Sequence, residues 1–355
     1  MERPRAAMIE ALGAIAPGRP LRDGLDRILQ ANMGALILVG DGPDVLGICS
    51  GGFLLDAEFS PQRLAELAKM DGAIILAADA SRIARANVHL VPSPGVHTTE
   101  TGTRHRTAER VARSIDVPVI AVSEDLAVIT LYRRDDKHAL DSVARLLGRA
   151  NQALQTLERY RDRLDSVTTS LSALEVEDLV TARDVVTVLQ RAEMVRRIAE
   201  EIEGYIVELG TDGRLAHLQL DELMAGVEDE RRHVVRDYVP VDDADTVDEA
   251  MLALALLPTD RVLDPAAVMI VLDLDHGGDL EASLQPRGYR LLGRIPRLPE
   301  QHVAAVVNRY GSLQKVMRAT AEDLEALPDV DAATARTIKD GLARLAESSI
   351  LDRYS

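Results

Sequence analysis

Residues 60–77, SPQRLAELAKMDGAIILA, predict a helix followed directly by a buried strand. Ser60 is a suitable N-cap, Pro61 fits the first turn, and Leu64 begins an apolar stripe at helical spacing. An Asp-Gly turn ends this helix. The apolar run at 73–77 is typical of a strand buried on both faces. A helix that leads into such a strand indicates an α/β domain.

The flanking sequence predicts more strands and another helix. Short apolar runs bounded by turn residues predict strands at Ala35–Gly40, Val45–Cys49, Val88–Val91, Val117–Val122 and Leu126–Tyr132. Helical periodicity predicts a helix over Thr107–Ile115. We therefore expect a mixed-sheet α/β domain at residues 1–145.

After residue 145 the pattern changes, and strand signals are nearly absent. Apolar residues at helical spacing from Leu146 to Leu157, and in Leu171–Leu189 and Glu193–Leu209, predict long antiparallel helices. We expect an all-helical middle domain at residues 146–286 that acts as a scaffold and an oligomer interface. A third domain, helical from Leu291, is expected at residues 287–355.

Residues 240–290 are less regular and contain the acidic stretch LDLDHGGDLE at 272–281. Its carboxylates are of the type that hard cations prefer. The spacing lacks the ligand periodicity of a calcium loop, so a solvated Gly-Gly turn is favoured over a metal site.

Composition limits the classes of protein. Of the 355 residues 46% are hydrophobic and 28% charged, values that exclude wholesale disorder. The single Cys49 excludes an internal disulfide framework and fits either a reducing compartment or an ordinary apolar position. Aromatic residues make up only 3%, which argues against single-strand nucleic-acid binding by base stacking. Without a secretory signal or a membrane-length apolar run, we expect a soluble cytoplasmic protein.

The net charge of −17 is unevenly distributed. Residues 287–355 carry 11 Lys and Arg against 9 Asp and Glu, so the rest of the chain holds about −19. A polyanion would therefore be tolerated only near the C-terminal end.

The densest polar cluster, residues 98–112, predicts a phosphate site. Hydroxyl groups, Gly102 and an Arg-His-Arg run stand where a loop leads into a helix. The helix N-terminus favours anions, and Arg104 and Arg106 can bind phosphate oxygens in a bidentate way. The alternative is a capped helix with a solvated basic first turn. That alternative is weaker, because basic residues there oppose the helix dipole.

Asp71 stands in the Asp-Gly turn, where it is usually structural. Beside a phosphate loop it becomes a candidate metal ligand and hydroxyl activator for phosphoryl transfer. The chain contains neither a GxxxxGK[ST] nor a GxGxxG motif, which excludes P-loop hydrolases and dinucleotide-binding dehydrogenases.

DGA at 71–73 and ETGTRHRTAERVA at 100–112 resemble the two signature motifs of the diadenylate cyclase family. The helical middle and the C-terminal module extend the resemblance over the full length, to the DNA-integrity-scanning members of that family in their actinobacterial form. The resemblance implies an enzyme that condenses two ATP into cyclic di-3′,5′-AMP and two pyrophosphates with Mg²⁺ or Mn²⁺.

The resemblance also implies roles for particular residues. Asp71 would bind the metal and help to activate the 3′-hydroxyl, with Gly72 and Ala73 along the nucleotide. Leu90 would pack against adenine, although by itself it is an ordinary core residue. The residues expected to hold the phosphates are Thr103, Arg104, His105, Arg106 and Thr107, with Ser123 and Glu124 as weaker candidates for phosphate and metal contact.

Each site would hold one ATP, so two cyclase domains must meet face to face about a two-fold axis. The resemblance implies a homo-octamer of four such pairs, held by the middle domains.

The C-terminal module resembles a helix-hairpin-helix at residues 324–338, with Asp329 and Asp331 at the two usual glycine positions. A carboxylate can cap the helix there but repels phosphate. Binding of branched or junction DNA is still favoured, and the basic residues that either contact it or only solvate helices are Arg290, Arg294, Arg297, Arg309, Lys315 and Arg318.

Two rival interpretations stay open. One is a non-catalytic ATP-sensing scaffold that binds DNA junctions. The other is an assembly platform for recombination or repair proteins, with the cyclase secondary. An intact Asp71 and Arg-His-Arg run favour the cyclase.

Overall fold

The computed structural model describes residues 3–274, 278–328 and 330–353, and gives side-chain positions for residues 6–348 outside those gaps. The chain forms two compact units. The first comprises residues 1–152 and 201–219, and the second comprises residues 153–200 and 220–355. Among the described residues, none of the helices combines the length and the apolar character needed to cross a lipid bilayer.

The first unit is built on a mixed sheet of eight strands among the described residues. The strands are β1 (Ala35–Val39), β2 (Cys49–Ser50), β3 (Phe53–Glu58), β4 (Ala73–Leu76), β5 (Arg82–Leu90), β6 (Val119–Ser123), β7 (Val128–Arg133) and β8 (Asp136–Ala139). Their order is β2-β5-β4-β1-β6-β7-β8, with β3 paired to β5. β1 and β4 are parallel, and the other pairs are antiparallel. The predicted mixed sheet is confirmed.

Helices cover both faces of this sheet. They are α1 (Arg3–Ala14), α2 (Pro20–Gln30), α3 (Pro43–Gly47), α4 (Pro61–Leu67) and α5 (Thr103–Ser114). Alternate side chains of β1 point to opposite faces. Ile37 packs in the core with α1, α2 and α4, whereas Leu38 packs in the core with α5. Burial on both faces explains why the central strands are almost wholly apolar.

The segment between β1 and β2 differs from the expected strand at Val45–Cys49. It forms α3, and only Cys49 and Ser50 are extended. Pro43 occupies the first helical turn, where its fixed φ favours a helix over a strand. The expected helix after Ser60 is confirmed, because the Ser60 hydroxyl accepts a hydrogen bond from Arg63 N at 3.2 Å.

The helical elements after residue 142 are long at first and then short. They are α6 (Val143–Glu177), α7 (Ala182–Leu209), α8 (Arg214–Met224), α9 (Val227–Tyr238), α10 (Ala244–Leu256), α11 (Thr259–Val262), α12 (Pro265–Val271), α13 (Tyr289–Gly293), α14 (Glu300–Tyr310), α15 (Leu313–Arg318), α16 (Ala321–Glu325) and α17 (Ala332–Arg353). A 3-10 turn at Gly210–Gly213 separates α7 from α8.

Two expectations for this region were wrong in detail. The predicted helix Leu171–Leu189 is interrupted after Glu177, where Asp178 adopts φ +60°. The irregular region 240–290 contains α10 to α12, and Asp243 and Asp264 cap α10 and α12. In the acidic stretch 272–281, residues 275–277 lie outside the described residues, as does Asp329 of the hairpin.

Arg290 in α13 does not contact solvent, contrary to its expected place among the basic surface residues. It is 0% exposed and pairs with Glu175 of α6 at 2.6 Å and Glu230 of α9 at 2.8 Å. The Asp237 carboxylate accepts the backbone N–H groups of residues 288–290, which begin α13. A buried guanidinium needs such partners, so Arg290 is a structural residue.

Candidate active site

A cleft of about 1160 Å³ opens in the first unit, at the end of the sheet where the parallel strands β1 and β4 begin. The end of β5 and the N-terminus of α5 also line it, together with the turn between β6 and β7. Because β5 is antiparallel to β4 and β6 is antiparallel to β1, β5 and β6 end where β4 and β1 begin. Polar side chains from separate parts of the chain therefore meet here.

The N-terminus of α5 supplies backbone donors to the cleft. Gly102, the N-cap residue, has no side-chain oxygen to accept them, and the first turn contains no acidic residue. Arg106 N is the first amide to bond within the helix, to Gly102 O at 2.8 Å. The earlier N–H groups therefore lack intrahelical partners, which makes this end suited to an anion.

Arg104 lies across Gly34, directly before β1. Its Nη1 donates to Val122 O at 3.4 Å, and no carboxylate among the described residues pairs with it. A Cβ built on Gly34 would lie 2.2 Å from Arg104 Nη1. Gly34 is therefore required for this position of the guanidinium. Sequence reasoning missed it, because its partner is 70 residues away.

His105 belongs to a chain of polar side chains. Its Nδ1 lies 2.9 Å from the Tyr132 hydroxyl, which donates to Glu100 Oε1 at 2.9 Å. Lys137 also pairs with Glu100 Oε1. Burial opposes ionisation of Glu100, but hydrogen bonds from Lys137 and Tyr132 outweigh it and lower the pKa. Burial lowers the pKa of His105, an effect that Glu100 opposes. Sequence reasoning included Glu100 in the motif at 100–112 without a role, and it missed Tyr132 and Lys137.

The loop before α5 is fastened to that helix. Glu109 accepts hydrogen bonds from the Thr98 hydroxyl at 2.5 Å and from Thr99 N at 3.0 Å. Burial would raise the pKa of Glu109, but these bonds and Arg113 lower it. Arg113 also donates to His97 O at 2.7 Å. These contacts fix the polar loop that forms one wall of the cleft.

Asp71 lies at the rim of the cleft and is exposed. Its carboxylate makes no hydrogen bond or ion pair with another residue that the structure describes. Gly72 is held against Asn87, whose Cα would lie 2.7 Å from a Cβ at residue 72. This close approach requires glycine and fixes Asp71 at the start of β4.

The cleft brings together nearly all of the residues singled out from the sequence. Those that line it are Asp71, Gly72, Ala73, Leu90, Thr103, Arg104, His105, Thr107, Ser123 and Glu124. Leu90 is 6% exposed and also belongs to the core beneath α5. Arg106 is exposed and does not line the cleft.

The donor set suits a divalent cation shared with a substrate. Among the described residues, no group of three or more His, Cys, Asp or Glu is arranged to hold a metal ion. Mg²⁺ commonly takes one or two carboxylates and completes its shell with water and substrate phosphates. The unpaired Asp71 carboxylate lines the same cleft as a helix N-terminus that is suited to an anion, which fits that pattern.

Family models match most of the chain. Residues 22–137 match the nucleotide-binding region of the DisA bacterial checkpoint controller, and residues 140–280 match its linker region. Of the residues that line the cleft, all except Ala139 fall within the first match.

Curated relatives match over nearly the full length. DNA integrity scanning protein DisA of Frankia casuarinae is 56% identical over 97% of this chain and 96% of its own length. The Streptomyces avermitilis protein of the same name is 52% identical over 98% of this chain and 94% of its own length. Among solved structures, a double mutant of DacA from Staphylococcus aureus is 22% identical over 40% of this chain and 88% of its own, with a TM-score of 0.26, too low to carry an argument. The chain therefore belongs to the family of the DNA integrity scanning protein DisA and is a diadenylate cyclase, a nucleotidyltransferase.

Proposed function

We propose that the cleft binds ATP and that two such clefts, face to face, condense two ATP into cyclic di-3′,5′-AMP and two pyrophosphates. The observation that carries this proposal is the convergence of an unpaired carboxylate, Asp71, and an anion-binding helix N-terminus with Arg104 in one cleft. Phosphoryl transfer depends mainly on positioning and on neutralising charge, and these groups supply both.

The proposed binding mode follows from the walls of the cleft. The phosphates lie at the start of α5, where Thr103, Thr107 and the free N–H groups adjoin Arg104. Adenine packs against Leu90, and the nucleotide passes along Gly72 and Ala73. Asp71 faces the ribose 3′-hydroxyl and accepts its proton as a general base when the oxygen attacks. Arg106 lies outside the cleft of its own domain, which leaves it available to the nucleotide of the facing domain.

Asp71 would also hold Mg²⁺ or Mn²⁺ together with the phosphates, with Glu124 nearby in the same cleft. When bound, the metal neutralises charge that develops on the phosphate oxygens.

The symmetry of the product supports a face-to-face pair. Each 3′-hydroxyl attacks the α-phosphate of the other nucleotide, so two equivalent sites must meet about a two-fold axis. We propose a homo-octamer of four such pairs and a division into a cyclase domain (1–145), a helical oligomerisation domain (146–286) and a DNA-binding domain (287–355).

The catalytic part is tested by comparing Asp71→Asn with wild type in ATP turnover and ATP binding. We expect a loss of turnover of about 100-fold or more with ATP binding retained. Asp44→Asn, an exposed carboxylate of α3 outside the cleft, is the matched control and should cyclise normally. Equal turnover by Asp71→Asn would refute the role of Asp71. ATP binding without product in wild type would favour the ATP-sensing scaffold.

We further propose that the C-terminal domain senses branched DNA. This would link the cyclase to DNA damage and to recombination or repair proteins. We also propose that the protein is cytoplasmic and nucleoid-associated. The name of the relatives supports a role in DNA integrity. Asp331 caps α17 through Thr334 N at 2.7 Å, so a carboxylate fills the position that a phosphate would take. DNA contact would then fall to the exposed cations Arg297, Arg309, Lys315 and Arg318.

A salt titration of binding to a four-way junction tests this second part. Each lost phosphate contact should reduce the slope of log K against log salt by about 0.9. Lys315→Gln with Arg318→Gln should therefore flatten the slope by up to about 2. Arg261→Gln, an exposed arginine of α11 paired with Asp264, is the control. An unchanged slope in the double variant would place the DNA contact elsewhere.

A further inference from the structure

A chain of hydrogen bonds joins three residues that line the cleft, His105, Glu100 and Lys137, through a hydroxyl buried behind the cleft wall. Tyr132 in β7 is 1% exposed and contacts the imidazole edge-on, with ring centroids 6.1 Å apart. Its hydroxyl lies 2.9 Å from His105 Nδ1 and 2.9 Å from Glu100 Oε1. Lys137 in β8 completes the chain at the same carboxylate oxygen. The four side chains come from the loop before α5, from α5 itself and from two strands.

The direction of each proton in this chain can be deduced. Lys137 has only donors, and an ionised Glu100 has only acceptors. The pKa of Glu100 is lowered, so the carboxylate accepts from both Lys137 and the Tyr132 hydroxyl. The single proton of that hydroxyl is then committed to Glu100. His105 must therefore donate from Nδ1 to the Tyr132 oxygen.

The second ring nitrogen is open to a ligand. His105 Nε2 makes no hydrogen bond with any residue that the structure describes, and it is not among the enclosed polar atoms that lack a partner. His105 lines the cleft. Burial keeps the pKa of His105 low, and Arg104 and Lys137 lower it further, while Glu100 opposes them. A neutral imidazole with its proton on Nδ1 presents a lone pair at Nε2.

We propose that Glu100, Tyr132 and Lys137 are positioning residues that hold His105 in the Nδ1–H tautomer, so that Nε2 accepts a hydrogen bond from an O–H or N–H donor of the bound nucleotide. This inference rests on the proposed ATP site and changes one role within it. A fully ionised phosphate oxygen has no proton to donate, so His105 does not bind the phosphates alongside Arg104. The donors that ATP offers are its ribose hydroxyls and the adenine amino group.

The tautomer itself is measured on the full chain without nucleotide, by nitrogen-15 NMR of histidine-labelled protein, with His105→Gln to assign the signal. We expect the Nδ1–H form in wild type and a shift toward Nε2–H in Tyr132→Phe. Tyr205→Phe, which removes a Tyr–Glu hydrogen bond elsewhere in the first unit, is the control and should leave the His105 signal unchanged. An Nε2–H tautomer in wild type would overturn the proposal whether or not the protein cyclises ATP.

The pH profile of turnover gives a second, independent test. Glu100→Gln removes the anion that supports the imidazolium, so the acid limb of kcat/KM should move to lower pH. Lys137→Met removes a cation, so the same limb should move to higher pH. Both variants should also lose roughly 2- to 12-fold in kcat/KM, which corresponds to one hydrogen bond of about 0.5–1.5 kcal/mol. Shifts in one common direction, or none, would contradict the proposal.

Binding of ATP analogues identifies the donor. Affinities of 2′-deoxy-ATP, 3′-deoxy-ATP and the 6-deamino analogue are measured on wild type and on His105→Phe. The analogue that lacks the donor should bind more weakly than ATP to wild type but equally to the variant. If each analogue loses the same affinity relative to ATP on wild type as on His105→Phe, Nε2 accepts no hydrogen bond from the nucleotide.

Discussion

Replacing Gly34 by alanine should impair ATP use without unfolding the protein. The new Cβ would lie 2.2 Å from Arg104 Nη1 and 2.4 Å from Arg104 Cζ. An ordinary contact needs roughly 3.5 Å, so the guanidinium must move by more than about 1 Å. It is the mobile end of a long side chain beside an open cleft, and residue 34 does not need a positive φ. The methyl group therefore displaces Arg104 rather than the backbone.

The expected loss follows from the bond that Arg104 would make to phosphate. A hydrogen bond to a charged group contributes about 1.5–3 kcal/mol. At about 1.4 kcal/mol per factor of ten, Gly34→Ala should reduce kcat/KM for ATP about 10- to 150-fold. The assay is steady-state production of cyclic dinucleotide, with thermal unfolding measured in parallel.

Two comparisons make this prediction decisive. Gly47→Ala adds a methyl group with no atom within 4 Å and should lower neither activity nor stability. In an Arg104→Ala background, Gly34→Ala should lower kcat/KM little further, because the guanidinium that it displaces is already absent. Wild-type kcat/KM in Gly34→Ala, or full additivity in the double variant, would refute the reasoning.

Three further predictions concern stability, each measured by thermal or urea unfolding of the full chain. Gly72→Ala should destabilise the first unit by about 1–3 kcal/mol, because its Cβ would lie 2.6 Å from backbone carbon of Asn87; unchanged unfolding would contradict this. Arg290→Met should lower the free energy of unfolding by about 3–5 kcal/mol, because it leaves Glu175 without its ion-pair partner in the interior. An unchanged free energy of unfolding would contradict this. The hydrogen bond to Glu208 raises the pKa of His138. The stabilisation that His138 contributes should therefore be complete below about pH 6.5 and fade as pH rises through the raised pKa. A Tm difference between wild type and His138→Asn that grows with pH would contradict this.

The architecture was largely predictable from local patterns. The strands β1, β4, β6 and β7 are apolar runs that the sheet buries on both faces, and the N-cap and proline of α4 are local signals. Strand β3 was missed because its side chains are mostly exposed and it lacks that signal. The segment 45–49 was misassigned because a short apolar run is compatible with either a helix or a strand.

The candidate site was predictable where a motif is continuous in sequence, as at residues 100–112 and 71–73. The residues that hold these motifs in place were not predictable. Gly34 matters only because Arg104 folds across it, and Tyr132 only because β7 brings its hydroxyl to His105. Arg290 illustrates the opposite error, since its charge indicates a surface residue until the buried Glu175 partner is known. Contacts between residues so far apart in sequence leave no periodic signal.

The most direct test of the central claim is the identity and stoichiometry of the products that the full chain forms from ATP. With Mg²⁺ or Mn²⁺ present, we predict cyclic di-3′,5′-AMP and pyrophosphate in a ratio of one to two, resolved by chromatography and mass. That ratio requires both 3′-hydroxyls to attack, and therefore two clefts facing each other. ADP, AMP or a linear dinucleotide as the final product would contradict the account.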